Sequence, residues 1–258
     1  MEKRNILLQL AYDGKNYNGW QKQKNAKSIQ AVIENALSEI LGERVILIGA
    51  GRTDAKAHAI NYTANFHTHN FSIPAEKFKH ILNSKLPPDI FVIDSREVSH
   101  TFHSRFSAKA REYVYIVLNS PSILPHLRDY VYNLPERINI EKLREITNMF
   151  TGRHNFKNFS IGYENEDKNL ERIIYYFRVG EVFFLNQRLI IFFIKGNGFL
   201  KGMIRCLISV CLNYEAGILK RECIDSALKN ETHLESKYRV PVPASGLYFK
   251  RAFYDSKL

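Results

Sequence analysis

Residues 47–66, which read LIGAGRTDAKAHAINYTANF, constrain the fold of this chain more than any other stretch. The apolar run from Val45 to Ile48 is typical of a buried strand, and apolar and polar residues alternate over 60–66 as in a half-buried strand. Between them, the small residues 49–51 precede Arg52-Thr53-Asp54. Small residues let the backbone approach another molecule closely, and catalytic groups tend to lie on loops held by a rigid scaffold. The sequence therefore predicts two strands around a tight loop with one Arg, one Asp and one His.

Each polar residue of this loop also has an ordinary structural explanation. An aspartate in a glycine-rich turn, such as Asp54, usually caps its own backbone. A lone histidine such as His58 is more often a satisfied structural residue than a functional one. Arg52, two residues before an acid, can simply form a solvated ion pair that contributes little to stability. The loop pattern alone favours these explanations.

The charge of the chain indicates its type of partner. In 258 residues, 37 Lys and Arg stand against 26 Asp and Glu, a net charge of +11, which predicts a polyanionic partner, nucleic acid before membrane. No apolar stretch approaches the roughly 20 residues that cross a bilayer, and no secretory signal precedes the first strand, so we expect a cytoplasmic protein. Cys206, Cys211 and Cys223 lack CxxC spacing and are expected to be buried thiols in a reducing compartment, with no metal site.

Periodicity predicts a β-α-β-β-α-β order in the first half. Ser28 is a plausible N-cap for a helix that Gly42 ends, and Pro87-Pro88 ends the second helix. The predicted elements are a strand over 6–12, a helix over 29–41, the two strands around the loop, a helix beginning near Pro74 and a strand over 90–98.

The second half is expected to repeat that order. Its predicted strands cover 111–118, a short segment near Tyr130, 173–179, 189–194 and 247–254, and its predicted helices cover 140–150, 199–215 and 222–229. The acidic segment Glu164–Asp167 is expected to be a solvated insertion. The predicted fold is α+β, with two ferredoxin-like halves, 1–104 and 105–258, whose antiparallel sheets join around a central basic cleft.

The basic loop over 15–27 has two possible roles. It carries Tyr17 and the only tryptophan, Trp20, among several lysines. Aromatic rings among lysines can stack on RNA bases while the ammonium groups contact phosphates. Trp20 can equally be an anchor of the hydrophobic core. The sequence leaves both explanations open.

Two blocks in the first half resemble the TruA-type tRNA pseudouridine synthases. GRTDAKAHA, residues 51–59, is similar to the GRTDAGVHA signature of that family, and YNGWQKQ is similar to its Y-x-GWQ-x-Q stretch. The resemblance implies that Asp54 is the nucleophile and that Arg52 helps to displace the target base. It makes His58 a possible contact to the substrate. Lys56 and Ala57 stand where the family usually has Gly-Val, so the course of the loop after Asp54 does not follow from the resemblance.

Three further blocks match in the expected order. TFHSRFSAKAREYVY resembles the family's FHARFSA-x-x-R-x-Y-x-Y block, which implies that Tyr113 packs against the target base and that Arg105 and Arg111 contact RNA. NGFLKGMIR resembles FL-x-x-MVR, which implies an ion pair of Arg205 with the nucleophile. PASGLYFKRAFY resembles APAEGLYL, which implies that Leu247 lies near the pocket. An aspartate in a closed pocket loses hydration, and a nearby guanidinium favours its ionised form.

The resemblance implies an activity and a set of partners. The chain would isomerise specific uridines to pseudouridine in the anticodon stem-loop of tRNA, at positions 38–40, as a homodimer, with no metal or nucleotide cofactor. One alternative is a non-catalytic RNA-binding protein, because the RRM has the same element order, although the RNP1 pattern is not found. A glycosidase is another alternative, but a retaining one needs a second carboxylate about 5 Å from the first, and none is evident.

Overall fold

A computed structural model describes residues 3–162 and 170–255 of the chain. These residues form a mixed α+β fold with five α-helices and ten β-strands. They divide into two compact units: the first contains the described residues up to Arg111 and those from Tyr248 onward, and the second contains residues from Glu112 to Leu247. The predicted acidic insertion, Glu164–Asp167, lies outside the described residues. In the described ranges, no helix has both the length and the apolar character that a membrane span requires.

The first unit has the order predicted for the first half of the chain. Its elements are β1 (Arg4–Tyr12), α1 (Ile29–Leu41), β2 (Ile48–Gly49), β3 (His58–Thr68), α2 (Phe78–Lys85) and β4 (Ile90–Val98). β1 lies between β4 and β3 and is antiparallel to both, and β2 is antiparallel to β3. The register places Ile6 opposite Phe66 and Leu10 opposite Tyr62, and all four side chains are fully buried. These buried pairs help to fix the register, because a one-residue shift would move all four side chains to the opposite face of the sheet.

The caps of α1 were predictable from local sequence. The Ser28 hydroxyl accepts a hydrogen bond from the Ala31 N–H at 3.3 Å, and Gly42 ends α1 with a left-handed φ of 66°. The predicted strand over 45–48 is shorter than expected, because only Ile48 and Gly49 pair with β3. Ile46, in the middle of that apolar run, is 65% exposed.

The second unit contains the remaining helices. Its elements are β5 (Ala110–Leu118), of which the residues from Glu112 belong here, β6 (Tyr132–Asn133), α3 (Ile140–Met149), β7 (Gly152–Asn155), β8 (Glu171–Phe184), β9 (Gln187–Gly196), α4 (Met203–Glu215) and α5 (Arg221–Leu228). The strands are ordered β5-β9-β8-β7, with β6 parallel to β5. A fully buried aromatic cluster fills the core, with Phe150 beside Phe159 and Phe177 beside Phe192.

Several predictions for the second half need correction. β8 continues through Gly180 to Phe184, because the reversal occurs at Leu185 and Asn186, both with positive φ. α4 begins at Met203, not at 199, because Gly202 is left-handed with φ 67°. The sequence also did not indicate β7. Cys206 and Cys211 are buried as expected, and burial raises the pKa of Cys211, but Cys223 is exposed.

The last strand, β10 (Leu247–Phe253), differs most from expectation. The sequence predicts it as the closing strand of the second half. From Tyr248 onward it belongs instead to the first unit, where Tyr248 and Phe249 pair in parallel with His58 and Ala59 of β3. The Phe253 carbonyl also accepts a hydrogen bond from the Lys109 N–H at 2.8 Å. Hydrophobic periodicity defines a strand but carries no information about its distant pairing partner.

Candidate functional site

The loop between β2 and β3 presents the predicted nucleophile. Asp54 is half-buried, and Arg52 is exposed. The Ala57 N–H donates to the Asp54 carbonyl at 3.1 Å, which closes a turn immediately after the carboxylate. Lys56, the third residue of that turn, has a φ of 68°. The carboxylate therefore stands at the first position of a tight turn, with a cationic side chain two residues away on either side.

Two buried tyrosines hold the backbone that precedes Asp54. The Tyr62 hydroxyl donates to the Gly51 carbonyl and accepts from the Gly51 N–H at 3.3 Å. The Tyr12 hydroxyl lies 2.9 Å from Oγ1 of Thr53. Tyr62 is fully buried and Tyr12 is 4% exposed. The sequence did not single out these phenols, although both lie at inward positions of predicted strands, where a hydroxyl must find a partner.

A second loop, residues 14–27, supports the first. The backbone N–H of Trp20 donates to the Thr53 carbonyl at 3.3 Å, and the backbone N–H of Lys56 donates to the Tyr17 carbonyl at 3.1 Å. Gly19 makes this approach possible, because its φ is 84° and a Cβ there would lie 2.4 Å from the Thr53 carbonyl oxygen. The Trp20 ring is 3% exposed, 4.2 Å from that of Tyr62. Of the two explanations for Trp20, the structure supports the core anchor.

His58 lies in the interior of the first unit. It is 2% exposed, and its ring stacks on that of Tyr248 at 4.7 Å. Its Nδ1 lies 3.1 Å from the Gly14 N–H nitrogen and 3.1 Å from an Asp13 carboxylate oxygen. Nδ1 accepts from Gly14 only when it is unprotonated and donates to Asp13 only when it is protonated, so the two bonds are alternatives. With these partners, His58 orients the start of β3, and its predicted contact with substrate stays a prediction.

Arg111 and Arg105 occupy different environments. Nε of Arg111 donates to the Ala50 carbonyl at 3.1 Å, and its terminal nitrogens donate to the Ala108 carbonyl, at 3.3 Å, and to the Arg105 carbonyl. Arg111 therefore ties residues 105–108 to the nucleophile loop. The side chain of Arg105 is exposed, with its guanidinium carbon 5.5 Å from the ring centre of Phe106. Arg105 is thus the better placed of the two for a phosphate contact.

The second unit positions the other predicted residues. Tyr113 is 7% exposed, and its ring meets Phe199 edge to face at 5.3 Å. Arg205 lies in the first turn of α4, where Nε donates to the Val242 carbonyl at 2.6 Å and the Val242 N–H donates back to the Arg205 carbonyl at 3.4 Å. This reciprocal pair fixes the guanidinium against residues 241–243. Leu247 is buried at 5% exposure.

Tyr115 shares this region with Arg205. Its hydroxyl donates to the Pro243 carbonyl at 2.7 Å. Burial raises the pKa of Tyr115 far above its ordinary value, and the charge of Arg205 opposes this shift only in part. Tyr115 therefore remains a neutral hydrogen-bond donor.

Because Asp54 lies in the first unit and Arg205 in the second, their ion pair stays a prediction. Within the described ranges, no three His, Cys, Asp or Glu side chains are grouped as metal ligands.

Comparisons with known proteins agree on one family. A family model described as tRNA pseudouridine synthase matches residues 10–107 and 146–255. A tRNA pseudouridine synthase A from Clostridium acetobutylicum is 40% identical over 97% of this chain and 100% of its own length. tRNA pseudouridine synthase A 2 from Clostridium tetani is 39% identical over 98% and 99% of the two chains, and a synthase A from Thermoanaerobacter sp. X514 is 36% identical over 97% and 100%. The chain therefore belongs to the tRNA pseudouridine synthase family.

Proposed function

We propose that this protein, an isomerase that makes pseudouridine in tRNA, acts on uridines 38–40 of the anticodon stem-loop. The loop at Asp54 is the main support for this proposal. Asp54 is half-buried in a turn that Tyr12 and Tyr62 hold, and the exposed Arg52 lies two residues before it in the chain. A net charge of +11 suits a polyanionic substrate. The resemblance to the TruA-type signature supports the choice of the anticodon stem-loop.

The reaction requires that the target uridine leave the base stack. Extrusion costs a few kcal/mol, which contacts in the pocket offset. Arg52, exposed next to the nucleophile, occupies the vacated space. Asp54 attacks either the anomeric carbon of the ribose or C6 of the ring, and the N1–C1′ bond breaks. The uracil rotates, a bond forms between C5 and C1′, and the bond to Asp54 breaks, which regenerates the carboxylate. N1 gains a proton, and the C5 proton leaves to a base, either Asp54 or a group near Tyr113.

The second half of the chain supplies the other residues that act on the uridine. Arg205 pairs with Asp54 and keeps the nucleophile ionised, while Tyr113 packs against the extruded base and Leu247 lines the pocket. Two ferredoxin-like halves that divide near residue 104, with β10 belonging to the first, would form the walls of a central basic cleft. The β4-β1-β3-β2 strand order of the first unit, with two helices, supports this description of the first half.

The same resemblance supports the proposed setting of the reaction. The protein would act on tRNA in the cytoplasm as a homodimer, with one tRNA touching both subunits. Sedimentation of the protein with and without tRNA tests the assembly. A monomer at micromolar concentration, binding one tRNA per chain, would contradict the homodimer.

Asp54→Asn is the decisive variant, because it keeps the shape of the side chain and removes the nucleophile. Pseudouridine is measured in tRNA transcripts in which uridines 38, 39 and 40 are separately replaced by cytidine. We expect the wild-type protein to lose one product with each replacement and Asp54→Asn to lose all products while still binding tRNA. Asp94→Asn is the matched control, since Asp94 pairs with Arg96 on β4. Full product formation by Asp54→Asn would refute the proposed nucleophile.

A further inference from the structure

Lys56 occupies a turn position that normally belongs to glycine. The turn runs from Asp54 to Ala57 and is closed by the 3.1 Å hydrogen bond between their backbones. Of its two central residues, only Lys56 has a positive φ, 68°. This is the type II pattern, in which the third residue is usually glycine because a Cβ is disfavoured there. A lysine at this position strains the backbone two residues after the proposed nucleophile.

The side chain of Lys56 makes no ion pair with the residues that the structure describes. The backbone N–H of Lys56 bonds to the Tyr17 carbonyl at 3.1 Å, and glycine would make the same bond. The side chain itself is exposed, and none of the ion pairs among the described residues uses its ammonium group. The strained backbone at Lys56 therefore carries a charged side chain that faces solvent instead of one that stabilises the fold through an ion pair.

Other cations lie on the same pair of loops. Arg52 is exposed two residues before Asp54, and Lys56 is exposed two residues after it. The exposed Lys27 places its ammonium 4.6 Å from the ring centre of Tyr17, the residue whose carbonyl binds Lys56. Because backbone hydrogen bonds join the two loops, these cations and Asp54 belong to one connected framework.

We propose that Lys56 binds an RNA backbone phosphate beside the extruded uridine and so positions the tRNA strand over Asp54. The inference rests on the proposed function, since it takes the RNA target to lie at Asp54. A lysine ammonium is a compact point charge with three donors, suited to a phosphate oxygen. Phosphate contacts fix the position of a nucleic acid without reading its sequence. Lys56 is therefore a positioning residue, and its effect is the same for every tRNA substrate.

The test separates charge from backbone strain. Lys56→Met keeps the strained backbone and removes the charge, Lys56→Gly removes both, and Lys56→Arg keeps both. Binding of labelled tRNA is measured by anisotropy between 50 and 200 mM salt, in an Asp54→Asn background that prevents turnover. Lys77→Met is the control for charge, because Lys77 is exposed beside α2 of the same unit. Leu185→Gly is the control for strain, because Leu185 has a φ of 49° in the second unit and its side chain is exposed.

We expect Lys56→Met to raise the Kd about two- to fivefold and to reduce the slope of log Kd against log salt by about 0.7 to 1. Lys56→Gly should weaken binding equally, and its Tm should rise by about 2–4 °C. Leu185→Gly should show a similar rise in Tm and bind tRNA normally. Lys56→Arg should retain the wild-type salt slope. An unchanged Kd and slope in Lys56→Met, or an equal loss in Lys77→Met, would overturn the inference.

The outcome is distinguishable from failure of the proposed function. If the wild-type protein with intact Asp54 makes no pseudouridine in the anticodon stem-loop, the proposed function fails. If it makes pseudouridine there while Lys56→Met leaves tRNA binding unchanged, only the role of Lys56 fails.

Discussion

The hydroxyl of Tyr62 and the backbone of Gly51 form a reciprocal pair, in which the phenol donates to the carbonyl and the Gly51 N–H donates back at 3.3 Å. Tyr62 is fully buried on β3, and Gly51 lies three residues before Asp54. The pair connects the rigid core of the first unit to the loop of the nucleophile. Preorganisation of this kind lowers the cost of bringing a reacting group to its target.

Tyr62→Phe should reduce the free energy of unfolding by about 1–3 kcal/mol, because both polar groups of Gly51 lose a buried partner. We expect kcat for pseudouridine formation to fall by a larger factor than KM for tRNA changes. The loop loses its position, whereas the basic surface that binds tRNA remains. Urea unfolding measures the first effect, and steady-state kinetics over a range of tRNA concentrations measures the second. A wild-type kcat in Tyr62→Phe would show that the phenol does not position the loop.

Gly19→Ala should impair the site more than it impairs the fold. The new Cβ would lie 2.4 Å from the Thr53 carbonyl oxygen and 3.0 Å from the Asp54 carbonyl carbon, so the nucleophile loop must move. Gly42→Ala is the matched control in the same unit, because Gly42 also has a positive φ but a Cβ added there would meet nothing within 4 Å. Backbone strain should cost each variant about 1 kcal/mol, and the clash with the Thr53 carbonyl should make Gly19→Ala the less stable of the two.

Only Gly19→Ala should also lower kcat, by about tenfold or more, since a misplacement near 1 Å can cost a hundredfold in rate. Stability is measured by thermal unfolding and turnover by pseudouridine formation in the same preparations. Equal kcat values for the Gly19 and Gly42 variants would contradict the close packing of the two loops.

Local signals in the sequence predicted the elements of the first unit well. Ser28 and Gly42 define α1 because capping depends on residues adjacent to the helix ends. Alternation of apolar residues predicted β1 and β4, and the first residues of β4 do bury alternate side chains. β1 is instead buried on both faces, with Leu7 as well as Ile6 and Leu8 in the core. The parallel pairing of Tyr248 with His58 was not predictable, because it joins residues far apart in the chain.

In the candidate site, too, the sequence indicated which residues matter but not which groups they contact. The sequence identified Asp54, Arg52 and Arg111 as charged groups of interest. It could not indicate that Arg111 would use its donors on the carbonyls of Ala50, Ala108 and Arg105, because those contacts follow from the tertiary fold. A motif gives the chemical type of a group, whereas its hydrogen-bond partners decide whether that group faces substrate or supports the loop.

Trp20 provides an internal test of the loop over 14–27, because it is the only tryptophan in the chain. Its ring is 3% exposed and packs against Tyr62, so acrylamide should quench its fluorescence weakly in the native protein. Saturating tRNA should leave that quenching constant nearly unchanged, since a core residue is already shielded. Protein unfolded in urea supplies the exposed reference. Strong quenching that tRNA abolishes would mean that Trp20 stacks on RNA.

His103 should make the segment around Arg105 sensitive to acid. Its Nδ1 accepts hydrogen bonds from the Arg105 and Phe106 N–H groups, both at 3.2 Å, which requires an unprotonated Nδ1. Burial lowers the pKa of His103 below the ordinary 6.5, and the charges of Arg105 and His67 lower it further. Because the folded-state pKa is below the unfolded value, this contribution to stability is complete above pH 6.5 and declines as the pH falls from 6.5 through the folded-state value.

An NMR titration of the histidine Cε1 protons measures this effect, with His103→Asn identifying the resonance. The midpoint of His103 should lie below 6.5, and exchange protection of the Phe106 amide should fall over the same pH interval. His103→Asn should lose this pH dependence, because an amide oxygen can accept from both N–H groups and does not titrate in this range. A midpoint at or above 6.5 would show that the protonated ring is favoured in the folded protein, which contradicts the acceptor role of Nδ1.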